Sequence, residues 1–301
     1  MEVMPVNVLM QVLTLFLLLL CGLFAVKKSI LDDKAVSGLN AFVLNFAQPA
    51  LIIARLQQDA SPELVKELMW VLVLTCLVMA VSGLLAYRLF RQQGHDRRAV
   101  LSSLAMASNC GFMGYPVITA AFGEEALIYA VMYVTSFNLM CWTLGSYYFG
   151  GRKAIQPARL LTNPSILAII LGLLLFLTSW RLPGFLNNGL EMVGATTTPL
   201  AMFVIGAKLI GLKKEHLADK ELLFTCALRL VIVPAAVLLL RFTPLPEMVV
   251  NALYLCTAMP CAALTGMQAA HYQCDSELAS RGVALSTALS MATVPLMLML
   301  L

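Results

Sequence analysis

Ten apolar stretches, each close to the roughly 20 residues a helix needs to cross the hydrocarbon core of a bilayer, occupy nearly all of this 301-residue chain. They fall at about 6–26, 36–55, 68–90, 99–121, 125–149, 160–180, 187–210, 220–241, 248–272 and 276–301. The connections between them are too short for a separate soluble domain. Composition points the same way: with 60% hydrophobic and 12% charged residues, a water-soluble chain of this length would lack the polar side chains to cover its surface. The lipid bilayer is the expected solvent. The net charge of +4 lies in short basic runs between the apolar stretches, not on one face or tail, which argues against nucleic acid as a partner.

Orientation follows from the loops. The first stretch lacks a basic n-region, and its positive cluster, Lys27-Lys28, lies on the far side. It is expected to stay as a helix with its N-terminus outside. Alternate loops then hold fifteen of the Lys and Arg residues, including Arg159, Lys208, Lys213 and Lys214, while the opposite loops hold four: Arg55, Lys66, Arg181 and Arg241. The positive-inside rule predicts a multi-pass protein of the inner (plasma) membrane with both termini outside the cytoplasm.

The chain also repeats itself. Pro49 in the second stretch matches Pro199 in the seventh at an offset of 150, and Pro116 in the fourth matches Pro260 in the ninth at an offset of 144. Five stretches are followed by five, and because five is odd the second set enters the membrane from the other side. The predicted fold is therefore all-α and integral to the membrane: two inverted five-helix repeats, residues 1–150 and 151–301, divided at the polar run Gly150 to Pro157. The fourth and ninth helices are predicted to be broken, at Asn109-Cys-Gly-Phe-Met-Gly-Tyr-Pro116 and at Thr257-Ala-Met-Pro260. Unwound backbone at membrane depth survives only where it is buried in protein or lines a cavity. Gly111 and Gly114 loosen the fourth helix, Pro116 suits the first turn of a new half-helix, and Pro260 is expected to act likewise from the other side. Two half-helix N-termini meeting near the midplane would attract an anion, above all a carboxylate.

The strings Ser108-Asn-Cys-Gly-Phe-Met-Gly-Tyr-Pro116, Leu39 to Pro49, Ala258-Met-Pro260 and Leu285 to Ser290 with Pro295 resemble the auxin efflux carrier family, within the bile acid, arsenite and riboflavin transporter superfamily. The resemblance covers essentially the whole chain and is closest to short bacterial members described as malonate or malate carriers. It implies a secondary transporter with ten helices. The first, second, sixth and seventh would form a scaffold, and the third to fifth and eighth to tenth a transport unit that slides like an elevator. It further implies a homodimer through helices two and seven, no ATP, no metal and no other cofactor. Substrate carboxylate would bind beside the crossing of helices four and nine, at Asn109, Gly111, Pro116 and Pro260. Cys110, Met113, Met259 and Cys261 adjoin those positions, and Thr265, Gln48 and Asn138 complete the candidate substrate-binding set. Many relatives carry an Asn shortly after the ninth-helix proline; here Leu264 and Thr265 stand there, which leaves the two halves of the site unequal.

Other polar groups within the apolar stretches have plainer readings. Glu191 reads as an interfacial carboxylate, Asp275 and Glu277 with Arg281 as an ion-paired helix entrance, and Arg229 as a side chain that snorkels to the cytoplasmic interface, with substrate counter-charge as the lesser reading. Asn40, Asn45 and Thr196 to Thr198 serve equally as cavity lining or as bonds between helices. The eight cysteines form no CxxC and no metal framework. Three function classes follow: a secondary carrier of a small organic anion, a cation or proton antiporter or a non-transporting receptor built on the same helices, and an intramembrane enzyme, against which stands the absence of HExxH, GxSxG and paired intramembrane Asp.

Overall fold

The computed structural model describes residues 4–155, 162–209 and 219–301. The end of the polar run at Pro157, Arg159, Lys213 and Lys214 lie outside the described residues. The described chain is helical: α1 (Met4–Lys27), α2 (Asp33–Arg55), α3 (Pro62–Leu89), α4 (His95–Met106), α5 (Cys110–Phe122), α6 (Glu124–Ala154), α7 (Pro164–Thr178), α8 (Gly184–Ala207), α9 (Lys220–Phe242), α10 (Glu247–Ala258), α11 (Leu264–His271) and α12 (Ser276–Leu298). Seven helices among the described residues are long and apolar enough to cross a bilayer; α5, α7 and α10 are shorter apolar helices. Of the ten expected segments, the fourth and ninth are split into α4–α5 and α10–α11. The sixth is reduced to the 15 residues of α7, which starts at the cap of Asn163 followed by Pro164 and stops at Ser179, in the left-handed region with φ 53°. The third begins earlier than its apolar run, because Ser61 caps it by accepting from the Leu64 N–H and Pro62 fills its first turn.

Helix packing sorts the chain into two groups. In one, α1 lies along α8, and α2 packs against α7 and α8. In the other, α3 packs on α4 and α6, α9 on α10, and α12 on α4 and α11. Small residues bring α1 and α8 into backbone contact: a Cβ on Gly22 would run into the Phe203 carbonyl oxygen, and one on Gly206 into the Leu19 carbonyl oxygen. Between the groups, α5 leans on α1 and α8, and α7 touches α6. Large apolar side chains such as Leu13, Leu17 and Phe24 on α1 and Leu77, Val81 and Leu84 on α3 point outward and exposed, as lipid-facing residues do.

The two ends of the bundle differ in polar chemistry. At one end Arg97 pairs with Asp219 at 2.6 Å and Arg281 with Glu277 at 2.6 Å, the ion-paired entrance expected for α12. At the other, Arg55 pairs with Glu124 at 2.9 Å and Arg181 with Asp59 at 2.7 Å. Glu191 is exposed and accepts from Asn187 at 3.0 Å.

Candidate functional site

Two extended segments cross where the fourth and ninth helices break. Ser108 and Cys261 form an isolated antiparallel bridge: the Asn109 N–H donates to the Pro260 carbonyl at 2.7 Å, and the Ala262 N–H to the Ala107 carbonyl at 2.9 Å. Each unwound segment thus satisfies backbone groups of the other, and both are buried, the condition for irregular backbone at this depth. Side chains from neighbouring helices fix the crossing. Ser286 on α12 accepts from the Cys261 N–H at 3.1 Å, and the Tyr133 hydroxyl on α6 lies 3.1 Å from Thr257 and 3.4 Å from Ser108.

The two prolines play different parts. Pro116 lies in the first turn of Tyr115–Phe122, but a wide turn over Cys110–Gly114 precedes it, so the helical ladder of α5 already starts at Cys110. Pro260 opens no helix. It sits in the extended crossing segment as an acceptor, a place where a residue lacking an N–H loses nothing, and α11 begins only at Leu264.

The reading of Arg229 as a snorkelling side chain is overturned. It has no exposed surface. Its Nη1 donates to the carbonyls of Ala105 at 3.2 Å and Met106 at 3.1 Å, the last turn of α4, while Nη2 donates to the Thr257 carbonyl at the end of α10. One guanidinium therefore caps the carbonyl ends of both first half-helices. Those ends carry unpaired C=O groups and a partial negative charge, so a buried cation is stable there without a carboxylate partner.

On the opposite flank of the crossing lies a cavity of about 220 Å³. Asn109, Gly111, Ala263 and Leu264 line it, which places the first turns of α5 and α11 on its wall. Across from them stand Asn40, Asn45 and Gln48 of α2, and Asn138 of α6 joins from the side. Gln48 reaches far in: a Cβ on Gly111 would meet its Nε2 at 2.8 Å. Asn138 and Asn45 donate to carbonyls one turn back in their own helices, Val134 at 2.9 Å and Ala41 at 2.7 Å, which leaves their amide oxygens free of that bond. Trp142, Asn163 and Met267 line the same cavity toward the end holding Arg97 and Arg281. Among the described residues, the lining includes no Asp, Glu, Lys or Arg.

The candidate set divides on this geometry. Gln48, Asn109, Gly111 and Asn138 line the cavity. Cys110, Met113, Met259, Pro260, Cys261 and Thr265 are buried around the crossing without lining it, Thr265 lying 3.2 Å from the Ser103 hydroxyl. Pro116 lines a separate cavity toward the Arg55–Glu124 end, together with Thr198. Asn40 and Asn45, undecided from sequence, join the first cavity. Asn163 was not singled out, although the pair Asn-Pro before an apolar run is the sequence mark of a helix start.

A family profile described as membrane transport protein matches the chain over residues 7–158 and 152–298. The chain is 31% identical to an uncharacterized transporter of Methanothermobacter thermautotrophicus over 298 residues, 95% of each protein. It is 26% identical over 303 residues to an uncharacterized transporter of Methanocaldococcus jannaschii, covering 95% of this chain and 96% of the relative.

Proposed function

The chain belongs to the membrane transport protein family, and from that membership we propose that it is a secondary carrier of a small organic anion, such as a carboxylate, bound where the two broken helices cross. The observation that carries the anion reading is Arg229. Each broken helix brings one carbonyl end and one N–H end to the crossing, and partial charges of about −0.5 and +0.5 at those ends cancel. The buried guanidinium rests on the two carbonyl ends and leaves the sum positive, with the N–H ends of α5 and α11 turned to the cavity. A carboxylate there would meet helix N-termini and the neutral amides of Asn109, Gln48 and Asn138. A cation antiporter would need a carboxylate at this place, and among the described residues the cavity lining has none. Its volume of about 220 Å³ falls below the roughly 300–1,000 Å³ of sites for drug-sized ligands, in keeping with a small solute.

In this reading the helices form two inverted five-helix repeats in the plasma membrane with both termini outside, so the cavity opens to the cytoplasm. The α1, α2, α7, α8 group serves as the scaffold, pairs with a second copy through α2 and α8, and the remaining helices slide against it. The close packing of α1 on α8 and of α2 on α7 and α8 supports that division. Energy would come from the proton gradient, and an ionophore that collapses it is expected to change the rate; a sodium requirement with indifference to pH would overturn that part.

The test is uptake into proteoliposomes of mono- and dicarboxylates, from malonate and malate to indole-type acids, by wild type and Asn109→Ala. Uptake of one acid that is lost in the folded, inserted variant is the expected result. Wild-type flux in Asn109→Ala removes that residue from the site. Absence of binding and flux for every acid refutes the anion reading, and binding without flux favours a receptor.

A further inference from the structure

At the end of the bundle remote from the Arg55–Glu124 pair, three side chains that are metal ligands in other contexts converge outside the site described above. His95 and Asp96 occupy the first turn of α4, and Cys274 lies in the turn between α11 and α12, 178 residues along the chain. One ligand atom from each falls within 4.8 Å of the other two. We propose that His95, Asp96 and Cys274 form a binding site for a soft divalent cation of the zinc class, which staples the start of α4 to the α11–α12 turn.

The donor set suits that ion. Imidazole nitrogen, thiolate sulfur and carboxylate oxygen are its usual ligands, at about 2.0–2.3 Å, so neighbouring donors around a tetrahedral ion stand roughly 3.3–3.8 Å apart. Closing from 4.8 Å asks for a rotamer adjustment of about an ångström. The backbones need not move. Gly94 accepts from the Arg98 N–H at 2.9 Å, which sets the start of α4. The α11–α12 turn is fixed by the Cys274 N–H on the Ala269 carbonyl at 2.8 Å and by Asp275, which caps α12 through the Leu278 N–H.

Charge favours a cation as well. The adjoining arginines are engaged elsewhere: Arg97 with Asp219 and Glu221, and Arg98 with the Tyr87 carbonyl and ring. The His95 Nδ1 already lies 3.2 Å from the Asp96 carboxylate, close to the spacing of two donors on one tetrahedral ion. On binding, the ion takes the place of the Cys274 thiol proton, which leaves to water. Solvent reaches the exposed His95 and Asp96, and the fourth position stays open to a water.

The experiment uses the full chain in detergent, titrated with Zn²⁺ alone and with Cd²⁺ alone, the latter followed by its thiolate charge-transfer band. The expected result is one equivalent bound, a rise in unfolding temperature with Zn²⁺, and affinity weakened at least about tenfold in Cys274→Ser and in His95→Gln. Cys21→Ser, which alters an exposed thiol elsewhere, should bind like wild type. Metal-free unfolding of the variants checks that the substitutions leave the fold intact. A missing cadmium band, or one that survives His95→Gln unchanged, overturns the proposal, and so does an equal loss in Cys21→Ser. None of these readouts depends on transport.

Discussion

Arg229 shows how one side chain can set both the stability and the polarity of the crossing. Its three carbonyl partners belong to helix ends that have no other way to complete their ladders, and bonds from a charged donor are each worth about 1.5–3 kcal/mol. Arg229→Met is therefore expected to lower stability by roughly 2–5 kcal/mol, below the sum because the partners relax. Arg229→Lys, which keeps the charge but loses the fork, should fall between. Thermal unfolding in detergent decides it, and a wild-type transition for Arg229→Met would show that the caps contribute nothing. Gly111→Ala separates binding from folding: its Cβ would crowd the flexible end of Gln48 and touch Val134 at ordinary contact distance, so the transition should stay in place while uptake falls by about tenfold or more, since about 1.4 kcal/mol is a factor of ten. The roles at this scale were unevenly legible. Asn109 and Gly111 stand in a motif whose glycines and proline announce unwound backbone. Arg229 stands in an apolar run about two turns from a helix start, where hydropathy alone reads it as a side chain reaching for the interface. Nothing in the sequence marks a backbone carbonyl as a charge partner, and the Ala105 and Met106 carbonyls lie 124 and 123 residues away.

Among the elements, the existence of the breaks was readable and their form was not. Pro116 and Pro260 look equivalent in sequence, yet only Pro116 lies in a helix; the other is held straight by the Asn109 N–H on its carbonyl, beside the antiparallel bridge of Cys261 to Ser108, contacts that exist only once both segments cross. Likewise, α3 gains a polar first turn from the Ser61 cap that an apolar window passes over. Glycine contacts are a third case: nothing in the spacing of Gly22 and Gly206 tells which helix each one faces. Gly206 lies so close to Leu19 that any side chain must push α8 off α1. Gly206→Val is expected to cost about 1–3 kcal/mol or more by overpacking, whereas Gly38→Val, where a Cβ meets nothing within 4 Å, should be nearly neutral. Comparing their unfolding temperatures tests the α1–α8 contact, and equal effects would refute it.

On the scale of the whole molecule, the sidedness of the two cavities is what a carrier requires. The cavity at the crossing opens toward the end with Arg97 and Arg281, while a second cavity of about 360 Å³, lined by Gln11, Arg55, Thr119, Glu124 and Thr198, opens toward the other end. The turn from Gly111 to Tyr115 lies between them, Gly111 on one wall and Tyr115 on the other. At the second opening the Arg55–Glu124 pair ties α2 to the start of α6, that is, one helix group to the other, at 2.9 Å. If the groups slide past each other, this pair must break, so it biases the population toward the state seen here. Both side chains are partly exposed, and such pairs are worth about 0.2–1 kcal/mol, so the bias cannot exceed roughly fivefold. Glu124→Gln should therefore raise labelling of Thr119→Cys by a membrane-impermeant thiol reagent, severalfold at most, and lower that of Ala263→Cys, the two factors multiplying to the shift of the equilibrium, above the background of the native thiols. Opposite changes at the two sites are the signature of alternating access. A parallel rise at both would mean that the pair only stiffens the fold, and no change at either would remove it from the conformational equilibrium altogether.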